Sequence, residues 1–403
     1  MIGIESIRYS LRNIAHRKSR SFLTILSIFL GIATIFVFIS FGLGLYGYIN
    51  GLIEGGSADK IMVQAKGGMG VPGLDDTFRL EDSDVRAIER SAGVEEATGV
   101  YMKVAQVEFK NEMRYVYLMG YDPKVPIVLD LADVDIHTGR ELESSDTGNV
   151  VLGYGYLIKD RVFSKTVSLG DNIEVQDRKL RVVGFFDSIG SPPDDSSIYV
   201  VDEAVDEIYN ESENSYGWIV ARVDPDNVDW IVSNIERNLR KSRDLEEGKE
   251  DFTVQGFAAM VESYAGAMNI IVGFVILIAL ISVVVSAVNT ANTMITSVIE
   301  RTKEIGVIKS IGGKNSEVFG IFLFESAFLG LVAGVVGVLL GWGLAAFGGM
   351  VLDNLGWGFL APVFPYYLFV GLISFAVITG ALSGAIPAWK ASRINIVDAL
   401  RYE

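Results

Sequence analysis

The chain has 403 residues, half of them hydrophobic, yet carries a net charge of −16. Apolar and acidic residues at these levels must be segregated along the chain, which excludes a uniformly soluble protein. There is no cysteine and there are only two histidines, His16 and His137; thiol chemistry and cysteine-ligated metals are excluded, and a histidine zinc site or a Ser-His-Asp triad is disfavoured.

Residues 51–262 hold 42 acidic against 22 basic residues, a net of −20, whereas the flanking segments hold 12 basic against 8 acidic, a net of +4. An acidic globule is therefore spliced into a basic, apolar frame. Such acidity keeps a domain soluble and argues against nucleic acid or anionic headgroups as its ligands. Adaptation to a saline habitat is an equally open reading. Without disulfides the globule must be held by its own core.

In chain order, residues 1–21 carry Arg8, Arg12, Arg17, Lys18 and Arg20 against Glu5, with Ile4, Ile7, Leu11 and Ile14 at helical spacing. This pattern predicts an amphipathic cytoplasmic helix lying on the membrane. Residues 22–46 are free of charge, too long for the apolar core of a signal peptide and without a small-residue cleavage site. They predict a retained span, and the basic flank places its N-terminal end in the cytoplasm.

Residues 51–257 read as short strands and helices. Strands are expected at 60–65, 97–110, 115–121, 150–153, 172–175, 180–188, 197–201, 218–223 and 252–255, and helices at 80–91 and 228–241. The stretch 122–214 is strand-rich, and its tight-turn pattern predicts a small antiparallel unit. It lies between two strand–helix–strand halves, 51–121 and 215–257. Gly67–Gly73 reads as a flexible loop and Asn210-Glu211-Ser212 as a chance glycosylation sequon. No spacing of carboxylates singles out a catalytic pair.

From residue 258 the chain is apolar to 296, about 39 residues or roughly 58 Å of helix, against the roughly 30 Å of a bilayer core. The excess predicts a stalk above the membrane. Further spans are expected at 315–352 and 366–389, with Trp357, Tyr366 and Tyr367 at the outer interface and Trp389 at the inner one. The full division is 1–21 N-terminal helix, 22–50 first span and stalk, 51–257 extracytoplasmic domain, 258–297 stalk and second span, and 298–314 cytoplasmic segment. It continues with 315–352 third span, 353–365 outer loop, 366–389 fourth span and 390–403 cytoplasmic tail.

The stretch VIERTKEIGVIKSIGGK (298–314) places charges among isoleucines and valines between two apolar runs. It is either a solvated loop or a docking helix. Ile305, Ile308 and Ile311 recur at three-residue spacing, an apolar edge that a helix-in-groove contact uses, and Gly312–Gly313 would end the helix. Gly312, Gly313 and Lys314 echo the end of a phosphate loop. That motif needs Ser or Thr after the lysine and an earlier glycine, where this chain has Asn315 and Ile308, so ATP hydrolysis is expected in a separate chain. Within the spans, Glu325 is the one candidate for an ion path, its alternative being a snorkelling or capping carboxylate. Asn289, Asn292, Thr293 and Thr296 share a face suited to bonds between helices, and Gly330/Gly334, Gly337/Gly341 and Gly380/Gly384 are small-xxx-small pairs that permit close helix approach.

The segments SVIERTKEIGVIKSIGGKNSEVFGIFLFESAFLGLVAGVVG, SIRYSLRNIAHRKSRSFLTILSIFLGIA and IPAWKASRINIVDALRYE resemble those of MacB/FtsX-type ABC transporter permeases, the type VII or mechanotransmission class. One departure is Ile396, where that family commonly has proline. The resemblance implies an α-helical membrane protein with four transmembrane helices plus an α+β extracytoplasmic domain, a split βαβ-type porter unit with a strand-rich sabre-like insert. It implies an ATPase-coupling helix formed by Glu300, Arg301, Thr302, Lys303, Glu304, Ile305, Gly306, Ile308, Lys309, Ile311, Gly312 and Gly313. It further implies a homodimer in the cell membrane, in contact with lipid and with a cytoplasmic ABC ATPase subunit that binds the ATP. The chain itself is then non-catalytic and needs no cofactor, metal or nucleic acid. An extracytoplasmic adaptor is a further possible partner. Export or extraction of a peptide, antibiotic or lipid-linked substrate is the expected activity, with FtsX-like signalling and lipoprotein release as alternatives.

Overall fold

The computed structural model describes residues 18–52, 58–66, 78–132, 134–209 and 215–401. The N-terminal amphipathic helix expected at 1–21 (mostly), the Gly67–Gly73 loop and the sequon at Asn210 lie outside the described residues. The chain forms two units, one of residues 1–44, 268–351 and 362–403, the other of residues 45–267 and 352–361.

Four helices are long and apolar enough to cross a membrane: α1 (Lys18–Leu52), α7 (Phe257–Glu300), α9 (Asn315–Asn354) and α10 (Tyr366–Ser392). Helices α1 and α7 lack any acidic residue in the first turn or basic residue in the last, so end charge does not account for them; an apolar segment in a bilayer is helical because its backbone groups must be satisfied internally. α7 is continuous for 44 residues, about 66 Å at 1.5 Å per residue. In the helical unit, Ile28, Ile32 and Phe36 of α1 pack with Ala279 and Val283 of α7, Ala333 and Val338 of α9, and Leu368, Leu372 and Ala376 of α10. The ring of Phe36 also meets Phe369 edge-on at 5.0 Å. Most of α7 remains apolar and exposed, including Ile271, Phe274, Ile278, Ile281 and Val285, the pattern of a helix that faces lipid or another apolar helix.

The second unit is built on a ten-stranded sheet. In chain order its elements are β1 (Lys60–Ala65), α2 (Asp82–Glu89), β2 (Val94–Phe109), β3 (Glu112–Tyr121), α3 (Ile127–Ala132), β4 (Ile136–Gly139), β5 (Asn149–Leu152), β6 (Asn172–Val175), β7 (Arg178–Phe186), α4 (Pro192–Asp195), β8 (Ile198–Val201), α5 (Asp202–Tyr209), β9 (Trp218–Val223), α6 (Val228–Ser242) and β10 (Phe252–Gly256). One end has the order β10-β1-β9-β2, every neighbouring pair antiparallel. Its core joins Ile61 and Val63 of β1 and Ile219, Ala221 and Val223 of β9 to Ile88 of α2 and Ile231, Ile235 and Leu239 of α6. The intervening residues Met62, Trp218 and Val220 point into a second core, as the two-residue period of a strand requires.

That second core fills a closed ring of strands, since β2 pairs β3, β3 pairs β8, β8 pairs β5, β5 pairs β7, β7 pairs β6, and β6 returns to β2. Closure leaves the ring no free edge within it. Two of its hairpins turn on residue pairs with positive φ, Lys110–Asn111 and Gln176–Asp177, the geometry that matches strand twist in two-residue turns. The antiparallel expectation for 122–214 holds for β6–β7 but not throughout: β5 runs parallel to β7, and β8 parallel to β3. The second half of β2 and all of β3, placed by sequence with the flanking halves, contribute Val107, Phe109, Leu118 and Tyr121 to the core of the ring.

Residues 352–361, between α9 and α10, belong to this second unit. Arg161 donates from Nη2 to the Asn354 carbonyl at 3.1 Å. The Phe359 ring lies 5.3 Å from that of Tyr48 and 5.6 Å from that of Trp357.

Candidate functional site

The charged stretch at 298–314 is helical. α7 ends at Glu300, and after a one-residue break at Arg301 a nine-residue helix, α8 (Thr302–Ser310), begins. The break is tightened locally: the Arg301 amide donates to the Val298 carbonyl at 3.2 Å and the Thr302 hydroxyl to the Ile299 carbonyl at 2.9 Å. At the far end the Gly313 amide donates to the Ile308 carbonyl at 3.0 Å and the Gly312 amide to the Lys309 carbonyl at 3.1 Å. Gly312 has φ +100°. This pair of bonds is a Schellman cap, which needs a left-handed residue at Gly312. Gly313 is needed for space, because a Cβ there would stand 2.7 Å from the Ile308 carbonyl oxygen.

The apolar edge expected of Ile305, Ile308 and Ile311 is divided by the fold. Ile305 is 2% exposed, packed with Met294 and Val298 of α7, Val318 and Phe322 of α9, and Ala388 and Ala391 of α10; Ile308 is half-buried at the margin of the same cluster. Gly306 is buried with Ile305. Ile305 and Gly306 form the root that seats α8 on its own chain, while Ile308 keeps part of its surface exposed. The exposed face is instead formed by Lys303, Glu304, Val307, Ser310, Ile311 and Gly312, with Ile311 81% and Val307 49% exposed. Val307 and Ile311 stand four residues apart, one above the other on a single face. Glu300 is exposed beside this face, and Thr302 is half-buried.

Charge fixes the root at both ends. Arg301, 5% exposed, donates from Nη1 to Glu325 Oε2 at 3.0 Å and from Nε to Glu304 Oε2 at 3.1 Å. Its guanidinium carbon also lies 5.0 Å from the centre of the Phe322 ring. Glu325, on α9, is itself 6% exposed, so the carboxylate is a structural partner for Arg301. An isolated buried charge would be expensive, and breaking such a pair costs about 3–5 kcal/mol. At the other end, Lys309 Nζ donates to the carbonyls of Ser392 at 3.1 Å and Ile394 at 2.8 Å. These are carbonyls left unpaired where α10 ends, the place where a cation is favoured. A last helix, α11 (Ile396–Arg401), lies against α8. Sequence reading had grouped Arg301 with the docking residues and Glu325 with the span; the fold brings them together.

All six glycines of the small-xxx-small pairs stand where helices cross. A Cβ on Gly330 would lie 2.4 Å from the Ala376 carbonyl oxygen, one on Gly334 2.7 Å from the Ala376 Cβ, and one on Gly380 2.6 Å from the Ser326 carbonyl oxygen. Gly384 faces the Ser326 side chain, while Gly337 and Gly341 face Phe29, Ile32, Ala33 and Phe36 of α1. The pairs thus join α9 to α10 and α9 to α1. On the polar face of α7, Thr293 donates to the Asn289 carbonyl at 3.0 Å and Thr296 to the Asn292 carbonyl at 3.0 Å, both within the helix. Asn289, Asn292 and Thr296 are exposed, whereas Ser286 and Thr290 are buried.

Among the described residues no group of His, Cys, Asp or Glu is arranged to hold a metal ion. The displaced carboxyls of the sheet-built unit are explained by packing. Burial raises Asp84 although Arg243 reaches it at 2.8 Å, and the Arg140 guanidinium lowers Asp146 to about 2.

Comparison with known proteins agrees with this layout. Residues 21–238 match the model of the MacB-like periplasmic core domain, and residues 276–396 that of the FtsX-like permease C-terminal region. An uncharacterized ABC transporter permease of Methanocaldococcus jannaschii is 30% identical over 399 residues, covering 98% of each chain. The macrolide export ATP-binding/permease protein MacB of Neisseria gonorrhoeae is 26% identical over 404 residues; the alignment covers 98% of this chain but 61% of that protein. The periplasmic region of MacB from Actinobacillus actinomycetemcomitans aligns with 53% of this chain and 94% of its own, at a TM-score of 0.41 and 18% identity. The chain belongs to the family of ABC transporter permeases that combine a MacB-like periplasmic core domain with an FtsX-like permease region.

Proposed function

We propose that this chain is the non-catalytic membrane subunit through which a separate cytoplasmic ABC ATPase moves an extracytoplasmic domain, driving export or extraction of a peptide, antibiotic or lipid-linked substrate. The observation that carries this reading is the exposed face of α8, with Val307 and Ile311 flanked by Lys303 and Glu304, on a helix whose opposite face is rooted in its own chain. An apolar pair with charges at its N-terminal side suits the groove of a protein partner, the charges fixing register. The Neisseria relative, an ATP-binding/permease protein in one chain, supports the same pairing. ATP is then bound by the ATPase, and the permease needs no cofactor of its own.

In this reading both termini and α8 are cytoplasmic, and closure of the ATPase pushes on α8. The unbroken α7 carries the displacement toward β10. The order β10-β1-β9-β2 with α2 and α6 is read as the porter-like unit and the strand ring as the sabre-like insert. The exposed apolar side chains of α7 face lipid and a second copy in a homodimer.

Replacing Val307 and Ile311 together by Asp removes two apolar contacts worth about 2 kcal/mol each. Capture of a co-expressed ABC ATPase by the full chain should fall at least 100-fold. Unchanged capture would sink the docking assignment.

The match of residues 276–396 to the FtsX-like region favours a second reading, a transmembrane switch for an extracellular enzyme or sensor. In that case deleting the chain leaves efflux intact while altering cell-wall hydrolysis or sensor output. Lipoprotein release is distinguished by accumulation of lipoproteins in the membrane.

A further inference from the structure

The junction between α7 and α8 has the geometry of a hinge. Two helices meet across Arg301 alone, whose φ is −110° and ψ 14°. A single non-helical residue between a 44-residue helix and a nine-residue helix would let the short one swing, and a push on it would be absorbed by bending. The side chain of Arg301 is placed to prevent this. It spans Glu304, in the first turn of α8, and Glu325, inside α9, and lies over Phe322 on the same side of α9. At the other end of α8, Lys309 donates to the carbonyls of Ser392, the last residue of α10, and of Ile394 just beyond it.

We propose that Arg301 and Glu325 are positioning residues that lock the α7–α8 joint onto α9, with Lys309 as the second anchor. A displacement of α8 is then delivered to α7, α9 and α10 together instead of being lost at the break. This goes beyond the docking reading and rests on it for its purpose, but the lock is a property of the chain by itself. The apolar root would seat α8 without any charge, since Ile305 is enclosed by six side chains from three helices. A buried ion pair is replaceable by apolar residues as far as stability goes, whereas its orientation is specific. An Arg bridging two carboxylates defines the angle between three elements, which a greasy contact does not.

The chain has no cysteine, so spin labels can be introduced without background. With Val288→Cys on α7 and Ser310→Cys on α8, both exposed, the labelled full chain, diluted with unlabelled cysteine-free chain in lipid nanodiscs so that no second labelled copy contributes, should give one narrow distance distribution. Glu325→Gln, nearly the same shape without the charge, should at least double its width. Arg301→Leu with Glu325→Leu, which keeps the site filled and removes both charges, should do the same. In complex with the ABC ATPase, and without the two labelling cysteines because Ser310 lies on the docking face, either variant should retain ATPase capture within threefold of the parent and lose substrate movement per ATP at least tenfold. A double-leucine variant with the parental width and coupling would overturn the proposal and leave the pair as filler. If the parent chain captures no ATPase while Glu325→Gln still broadens the distribution, the lock stands and the docking reading fails. If capture is normal and Glu325→Gln changes neither width nor coupling, the lock fails and docking stands.

Discussion

Arg301 and Glu325, 24 residues apart in sequence, meet at 3.0 Å with both side chains more than nine-tenths buried. The contact ties the start of α8 to the interior of α9 in a chain whose apolar helices contain few other charges. Removing one member strands the other in a site with little water. Arg301→Ala should therefore lower stability by about 3–5 kcal/mol, and the paired leucine replacement by much less. Thermal unfolding of the purified chain in detergent checks both, and equal losses for the two variants would contradict the argument.

The crossing of α9 and α10 leaves no room for side chains at Gly330 and Gly380, since a Cβ on Gly330 would lie 3.2 Å from the Gly380 Cα and one on Gly380 3.0 Å from the Gly330 Cα. Gly380→Leu should separate these helices and cost several kcal/mol, of the order seen for overpacking or more. By contrast Gly371→Ala, inside α10 where an added Cβ meets nothing within 4 Å, should be neutral or stabilising by up to about 1 kcal/mol. Melting temperatures of the two variants compared side by side decide the matter.

Gly312 supplies the left-handed residue of the α8 cap. Gly312→Ala should cost about 1 kcal/mol locally. Because nothing lies within 4 Å of an added Cβ, the loss comes from backbone strain and not from a clash. Faster amide exchange at Ile311–Gly313, with exchange in β1 unchanged, is the expected signature.

In the sheet-built unit, Arg140 Nη1 and Nη2 contact Asp146 at 2.6 and 3.0 Å, and the Glu143 amide and Asn149 Nδ2 add bonds at 2.8 and 2.6 Å. The Arg140 hydrogen bonds chiefly hold the Asp146 carboxyl at about 2, below its ordinary 3.8. A carboxyl with a lower pKa folded than unfolded stabilises the fold above its unfolded pKa, and that stability is lost as the pH falls through the folded value. The contribution is about 1–2 kcal/mol at neutral pH once the exposure of Arg140 is discounted. It should fade between about pH 4 and pH 2. Asp146→Asn should lower protection of the β5 amides at pH 7, and the difference from the parent should nearly vanish at pH 2.

Much of this architecture is legible in the sequence. The four apolar helices are written in charge-free runs, and β1, β6 and β9 fall at the bounds their residues suggest. The strand β4 was missed because Ile-His-Thr-Gly has one strongly apolar residue and no alternation. Helix α5 carried a usable signal, acidic residues in its first turn and Ala204, Val205 and Ile208 on one face, but its short span reads equally as a turn. Parallel pairing of β3 with β8 leaves no local mark, since it joins residues some 80 positions apart and is set by ring closure.

Helix α8 shows the same limit more sharply. Spacing places Ile305 and Ile308 on one face, and they do share one, yet periodicity does not say whether that face meets the chain itself or another protein. Here it meets the chain, and the exposed apolar pair is Val307 and Ile311. The clue available in sequence was Arg301 and Glu325, each an unusual charge at the margin of an apolar run, which burial makes partners of one another.

Whether the outer face of α8 receives an ABC ATPase is decided by site-specific photo-crosslinking in the full chain co-expressed with that ATPase. A photoreactive residue at Ile311 should form a covalent adduct with the ATPase subunit. The same residue at Ile305 should crosslink within the chain. Crosslinking to the ATPase from Ile305 but not Ile311, or from neither position in an intact complex, would contradict the account.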